Sequence, residues 1–300
     1  MRYRYATLDV FTETRLAGNP LAVVLGADWI APERMQAVAR EFNLSETVFV
    51  LSPSEALHRA RLRIFTPGRE LPFAGHPTVG TAVLLALRDA TRADAQAFGL
   101  EEEVGTVPCV VETRGDASGY ARFRLPRLPE VVEGGPDAIA AARALGLEPG
   151  EIGFERHMPS RHSAGNTFDF VPVNSLAALA RARPSADAFG SALGAHTPGV
   201  YVYTRQNGGA GRRFRARMFG SPASGIREDP ATGSAAAAFA GVLMQFEPLG
   251  EGEHSLVIEQ GYEMGRPSEI ELQLVIREGA LQSGEIGGHA VVVSEGEIEI

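Results

Sequence analysis

The chain has 300 residues, 44% of them hydrophobic and 22% charged, and a net charge of −9. Neutralising phosphates requires clustered Lys and Arg, so an acidic chain with no basic block excludes nucleic acid as a partner. No run approaches the ~18 apolar residues of a membrane-spanning helix, and a single cysteine, Cys109, excludes an intrachain disulfide and any multi-cysteine metal site.

A chain this long exceeds one ordinary core, which predicts two domains or a doubled one. Its opening, Met1-Arg2-Tyr3-Arg4-Tyr5, enters alternating strand-like sequence without the apolar core of a signal peptide, so a cytoplasmic protein is expected. Ala17-Gly18-Asn19 follows, then an apolar segment, Leu21–Leu25. From Pro32 to Phe42, Met35, Val38, Ala39 and Phe42 fall on one stripe, which predicts an amphipathic helix. Leu44-Ser45-Glu46-Thr47 stands where that helix ends and a Thr47–Leu51 strand begins. Arg61–Phe65 alternates charged and apolar residues, predicting a strand with one buried and one wet face. A small-residue helix is expected to open at His76-Pro77.

The same landmarks then return in the same order. Ala164-Gly165-Asn166 repeats Ala17-Gly18-Asn19, and Phe168–Val173 repeats the apolar segment. An Ala- and Leu-rich helix is expected around Ser175–Arg183. Val200-Tyr201-Val202-Tyr203 matches Thr47-Val48-Phe49-Val50, and Arg215-Ala216-Arg217-Met218-Phe219 matches Arg61-Leu62-Arg63-Ile64-Phe65. Finally Asp229-Pro230-x-x-Gly233-Ser234-Ala235 matches His76-Pro77-x-x-Gly80-Thr81-Ala82. Ordered matches at similar spacing indicate an internal duplication.

Pro favours the first helical position and Asp the cap before it, so Asp229-Pro230 reads as a helix start. The small residues that follow, with Thr81 and Ser234 near the first turn, leave its N–H groups open to a carboxylate or phosphate. Two such starts converging on one cleft would hold a small anion between the halves. The Pro/Gly-rich stretch Pro126–Pro136 reads as the linker. The expected domains are residues 1–128 with 284–300, and residues 129–283. The late strands Ala290–Val293 and Glu297–Ile300 return to complete the first domain.

Where the copies differ, a catalyst can break the symmetry. Glu46 has no carboxylate counterpart in Thr197-Pro198-Gly199-Val200, and His76 faces Asp229 in the alignment. A carboxylate in a closed cleft is tuned by desolvation to give and take protons, which makes Glu46 the acid/base candidate. The basic stretch Arg156–His162 reads as a surface loop. Two other chemistries fit less well. A racemase with paired cysteines would need a thiol at each helix start, where His76 and Asp229 stand. A Ser/His/Asp hydrolase from Ser234, His76 and Asp229 lacks a Gly-x-Ser-x-Gly elbow. A small-molecule-binding protein without activity is the non-enzymatic alternative.

Several segments resemble the PhzF-like isomerases of phenazine biosynthesis. They are Ser45-Glu46-Thr47, Pro72-Phe73-Ala74-Gly75-His76-Pro77-Thr78 and Glu228-Asp229-Pro230-Ala231-Thr232-Gly233-Ser234-Ala235. Asp9-Val10-Phe11, Gly18-Asn19-Pro20-Leu21-Ala22-Val23, Gln260-Gly261, Met264–Ser268 and Gly287-Gly288 extend the likeness over nearly the whole chain. The resemblance implies an α+β fold like that of diaminopimelate epimerase, with two pseudo-symmetric domains, each a mostly antiparallel β-barrel around a central helix. It implies a site at the domain junction, no cofactor, no metal and a homodimer. It also implies that Glu46 moves a hydrogen between carbons of a substrate such as trans-2,3-dihydro-3-hydroxyanthranilate. Ser45, Asn19, Gly75, His76, Asp229, Gly233 and Ser234 are then expected to line the substrate site.

Overall fold

The computed structural model describes residues 1–89, 93–185, 193, 197–206, 212–221 and 227–300. The chain divides into two compact units, Met1–Pro126 with Gly287–Ile300, and Arg127–Ile286. Its elements run β1 (Arg2–Val10), β2 (Asn19–Leu25), α1 (Pro32–Phe42), β3 (Glu46–Leu51), β4 (Ala60–Phe65), β5 (Glu70–Leu71), α2 (Gly75–Leu87), β6 (Ala95–Glu102), β7 (Gly105–Arg114) and β8 (Ser118–Arg124). There follow β9 (Glu130–Val131), α3 (Ala138–Leu145), β10 (Ser160–Ser163), β11 (Thr167–Pro172), α4 (Leu176–Arg181), β12 (Gly199–Arg205), β13 (Arg212–Gly220), β14 (Glu228–Asp229), α5 (Gly233–Phe246), β15 (Gly252–Gln260), β16 (Ser268–Arg277) and β17 (Ala280–Glu299).

In the first unit eight strands close on themselves: β17, β1, β2, β3, β4, β6, β7 and β8, with β8 returning to β17. The pairs β2–β3 and β4–β6 are parallel, and β1–β2, β3–β4, β6–β7, β7–β8 and β1–β17 are antiparallel. A parallel pair is covered on both faces, which explains why β3 reads as an unbroken apolar run, Val48–Leu51, rather than an alternation. α2 fills the barrel. It is apolar or small almost all round and buried from Gly75 to Leu84, as a core helix must be. α1 covers the outside. Met35, Val38 and Ala39 pack with Val24, Phe49 and Phe65, the stripe expected from the sequence.

The second unit repeats this pairing scheme. β10–β11 is antiparallel, β11–β12 parallel, β12–β13 antiparallel, β13–β15 parallel and β15–β16 antiparallel. The buried helix is α5, while α3 and α4 lie on the other side of the sheet against Val171, Val200 and Val202. The repeat can now be fixed residue by residue. Thr47 pairs with Phe65 and Val200 with Phe219, so those two pairs are equivalent.

Two expectations need correcting. The Arg-x-Arg strands do not keep both arginines wet: Arg217 is 3% exposed and gives two N–H bonds to Glu228 and one each to the carbonyls of Leu179, Ala180 and Ala182. The guanidinium fork satisfies the carboxylate and the C-terminal carbonyls of α4 together, which makes its burial tolerable. In the first unit Arg63 grips Glu70 in the same bidentate manner, closer to solvent. The stretch Arg156–His162 is not a surface loop either. His157 is 1% exposed, stacks on Phe154, and bonds through Nδ1 to the Tyr203 hydroxyl and through Nε2 to Glu247. His162 and Ser160 are buried in β10, and Arg161 grips the buried carboxylate of Asp169. Charge-rich sequence suggested exposure; paired charges allow the opposite.

Among the described residues, no helix is long and apolar enough to cross a membrane. Around α5 an aromatic cluster gathers on Phe239, whose ring contacts Phe170, Tyr201, Tyr203 and Phe214. Truncating a ring enclosed on every side leaves a cavity that rigid neighbours cannot fill. Phe239→Ala should therefore cost about 3–5 kcal/mol in chemical denaturation. A loss below about 1 kcal/mol would show that the cluster is not the core of this unit.

Candidate active site

The first unit brings Asn19, Glu46 and His76 together. Glu46 opens β3 opposite Leu21 of β2, and Asn19 opens β2 opposite Val10 of β1. The turn ahead of Asn19 is tight: the buried Asp9 carboxylate accepts the Leu16 N–H at 2.6 Å. Gly18 there has φ +65°, and a Cβ would lie 2.4 Å from the Val10 carbonyl oxygen, so only glycine fits. His76 is the second residue of α2. Its Nε2 lies 3.4 Å from Glu46 Oε2, and its Nδ1 lies 3.3 Å from Asn19 Nδ2.

An amide nitrogen can only donate, so Asn19 sets Nδ1 as the acceptor and leaves the ring hydrogen on Nε2, facing Glu46. Burial lowers the His76 pKa to about 3, so the ring is neutral at physiological pH. This matters for Glu46. An imidazolium at that distance would hold the carboxylate as an ion pair, which a neutral ring does not. The Glu46 side chain is 12% exposed, and Ser45 beside it is half-buried.

In the second unit the position equivalent to Glu46 is Gly199, one residue before Val200 as Glu46 is one before Thr47. A Cβ on Gly199 would lie 2.5 Å from the Phe219 carbonyl oxygen and 2.8 Å from the Met218 sulfur. The asymmetry seen in sequence is thus enforced by backbone: no side chain fits there.

The helix starts differ from expectation. α2 begins at Gly75 after Ala74, with Pro77 as its third residue; α5 begins at Gly233 after Thr232. Asp229 is therefore no N-cap but the end of β14, and the true equivalents are Gly75-His76 and Gly233-Ser234. The first-position preference of proline misled the alignment, because Pro77 is also tolerated later in the first turn, where its missing N–H has no intrahelical partner to lose. Gly80 and Thr81 then fall in the body of α2, away from its first turn.

Neither helix has a cap bond from the side chain of its N-cap residue, Ala74 or Thr232. The Thr232 hydroxyl, which could cap α5, instead donates to Asp229 Oδ2 at 2.6 Å. Ser234 is half-buried, unlike Gly233 and Ala235–Leu243 around it. Sequence reasoning missed the residue that holds this start. Gln260 is fully buried, and its amide donates to the Asp229 carbonyl (2.7 Å) and to Thr232 Oγ1 (3.0 Å). Its Oε1 accepts from the Thr232 N–H (3.2 Å) and the Tyr201 hydroxyl (3.1 Å). The Gln260-Gly261 segment was visible in the sequence, but nothing local to it pointed back to Thr232. Among the described residues no group of three or more His, Cys, Asp or Glu could hold a metal ion.

The His76 assignment is directly measurable. Nitrogen NMR should find the Nε2–H tautomer near neutral pH and no protonation until the pH falls toward about 3. The lowered folded pKa places the stability contribution of His76 above its ordinary pKa of 6.5, with loss as pH falls toward 3. A ring titrating near 6.5 would overturn the neutral-histidine geometry.

The model of the phenazine biosynthesis-like protein family, PhzC-PhzF, matches residues 8–296. An uncharacterised isomerase of Mesorhizobium japonicum is 48% identical, covering 99% of this chain and 98% of its own. The trans-2,3-dihydro-3-hydroxyanthranilate isomerase of Pseudomonas chlororaphis is 37% identical over 99% of both chains. Among solved structures, a PhzF-family protein of Bacillus anthracis superposes with a TM-score of 0.87 at 27% identity, covering 100% of both chains. A hydroxyproline epimerase of Agrobacterium vitis shares the fold, with a TM-score of 0.64 at 14% identity, 99% of this chain and 92% of its own. The chain belongs to the phenazine biosynthesis-like family and is a PhzF-type isomerase.

Proposed function

We propose that this isomerase moves a proton between carbons of a small carboxylate-bearing substrate, without a cofactor, using Glu46 as the acid and base. The observation that carries the reading is the Glu46 carboxylate beside the neutral Nε2 face of His76. A base that must also return the proton needs an orienting partner that does not trap it as a salt. The preferred substrate class is trans-2,3-dihydro-3-hydroxyanthranilate and its close analogues, by similarity to the Pseudomonas enzymes. A proton leaves one ring carbon for Glu46 and returns to another carbon of the same conjugated system; the enol so formed becomes a ketone. Nothing is oxidised or reduced.

Ser45, Asn19, Gly75 and His76 of the first unit, and Asp229, Gly233 and Ser234 of the second, are assigned to substrate binding. The first-turn amides at Gly75 and at Gly233 each offer donors and the positive end of a helix to an anionic group. A homodimer in the cytoplasm completes the reading, and sedimentation of the purified chain measures the first part. A paired-thiol epimerase is disfavoured on a specific observation. Cys109, in β7, is 2% exposed, and burial pushes its thiol well above the ordinary range, with Glu102 adding to the shift.

Glu46→Gln should keep the fold and ligand affinity while slowing exchange of a substrate C–H hydrogen in deuterated water by about 10²–10⁴-fold. Proton NMR of the substrate measures it, and exchange at the parental rate would remove Glu46 from the role. Asp229→Asn should act differently, raising KM by more than it lowers kcat, since it alters a binding contact and leaves the proton carrier in place.

A further inference from the structure

The repeat extends one step beyond the segments visible in sequence. In β4–β6 Arg61 pairs with Glu101, which puts Leu62 beside Glu102; in β13–β15 Arg215 pairs with Glu259 and Ala216 with Gln260. Since Phe65 and Phe219 are equivalent, Leu62 matches Ala216, and Glu102 occupies the place of Gln260. Each is the last residue of its strand and is buried, and each reaches the start of the helix its own unit encloses.

Gln260 uses all four hydrogen-bonding positions of its amide on Asp229, Thr232 and Tyr201. Glu102 has a simpler task. Its Oε1 lies 2.7 Å from the Thr78 hydroxyl, which also lies 2.7 Å from the carbonyl oxygen of Ala74, the N-cap residue just ahead of α2. Thr78 has one hydroxyl hydrogen, and the Ala74 carbonyl has none. Both short contacts are hydrogen bonds only if Glu102 carries a proton and donates to Thr78, which donates to Ala74. An ionised Glu102 would satisfy only one of them and would leave a charged Oε2 buried without a hydrogen-bond partner.

We propose that Glu102 is a positioning residue for the isomerase site: as a neutral acid it braces the first turn of α2, as the Gln260 amide braces that of α5, and so holds Gly75 and His76 against Glu46. Burial pushes its carboxyl up to about 8. The groups around it give an anion little support. Across the barrel wall Cys109 of β7 stays a thiol, and His76 of α2 is uncharged. On β4, Arg63 is held by Glu70 of β5, and Arg61 points from an exposed position. Glu103, in the following turn, is exposed. Glu101, one residue away on the opposite face, is the contrast: hydrogen bonds from Ser54, Glu55 and His58 hold its carboxyl down at about 2.

The activity arm of the test rests on the isomerase reading above. With trans-2,3-dihydro-3-hydroxyanthranilate as substrate, kcat/KM of the parent should fall on an alkaline limb near pH 8. Glu102→Gln should keep the activity at lower pH and lose that limb; Glu102→Leu should lose about tenfold in kcat throughout, with its fold confirmed by circular dichroism. Two measurements need no substrate. Infrared spectra of the full chain at about pH 6 should show a protonated carboxyl C=O stretch that disappears above about pH 9 and is absent from Glu102→Gln. Because the folded pKa is raised, the stability Glu102 contributes is complete below 4.5 and lost as pH rises to about 8, so Glu102→Gln should gain in melting temperature over the parent across that window. An ionised carboxyl at about pH 6, or a Gln variant as impaired as the Leu variant, would overturn the proposal. A chain that turns over no such substrate would count against the isomerase's substrate class alone, and the infrared and melting results would still decide the role of Glu102.

Discussion

A helix enclosed by a β-sheet has nowhere to leave the N–H groups of its first turn. On a surface helix, water or a Ser, Thr, Asp or Asn cap would take them. α2 and α5 lie inside their units, and the start of each is held by a residue on a neighbouring strand. The rest of the architecture follows from that constraint. The strand after each enclosed helix returns parallel to β4 or β13 and ends level with the helix start, which delivers Glu102 to Thr78 and Gln260 to Thr232. The parallel pairs β2–β3 and β11–β12 place a strand beginning beside the same level, and Glu46 is one of those beginnings.

Burial then sets the charge states. His76, enclosed and joined to Asn19, stays neutral; Glu102, enclosed and facing a hydroxyl, is pushed toward neutrality; Glu101, with three groups donating to it, stays ionised. Glu101 and Glu102 are consecutive residues of one strand, so the difference arises from the face each occupies and not from the neighbourhood in sequence. The pleat alternates side chains between faces, and two chemically identical residues end with opposite protonation.

How much of this was legible beforehand depended on contrast. Pro32–Phe42 was readable because its apolar stripe and its proline agree, and the apolar run after Glu46 was readable because a strand covered on both faces has few polar residues. The duplication was readable from Arg-x-Arg and the two Ala-Gly-Asn segments. Its register at the helix starts was not. Matching His76-Pro77 to Asp229-Pro230 followed two prolines that do different work: Pro77 is inside α2, and Pro230 lies between β14 and α5. The equivalences Glu70 with Glu228 and Glu102 with Gln260 were invisible because a glutamate at a strand end is common, and only the pairing register makes it singular. His157 was misread because its sequence neighbours are basic, while its partners Tyr203 and Glu247 stand 46 and 90 residues away.

The corrected register changes what the duplication says about chemistry. At three equivalent places the first unit carries Glu46, His76 and Glu102, and the second carries Gly199, Ser234 and Gln260. The titratable member of each pair is in the first unit, and the second offers a bare backbone, a hydroxyl and an amide. The fourth place is reversed, Leu71 opposite Asp229, but there the carboxylate receives the Thr232 hydroxyl, with Gln260 behind it, and is held as a fixed acceptor. In the first unit Glu46 stands beside a buried, neutral His76, and Gly199 admits no side chain at the equivalent place of the second. The duplication is thus symmetric in backbone pairing and asymmetric in titratable groups, an asymmetry set by which side chains the buried positions can hold.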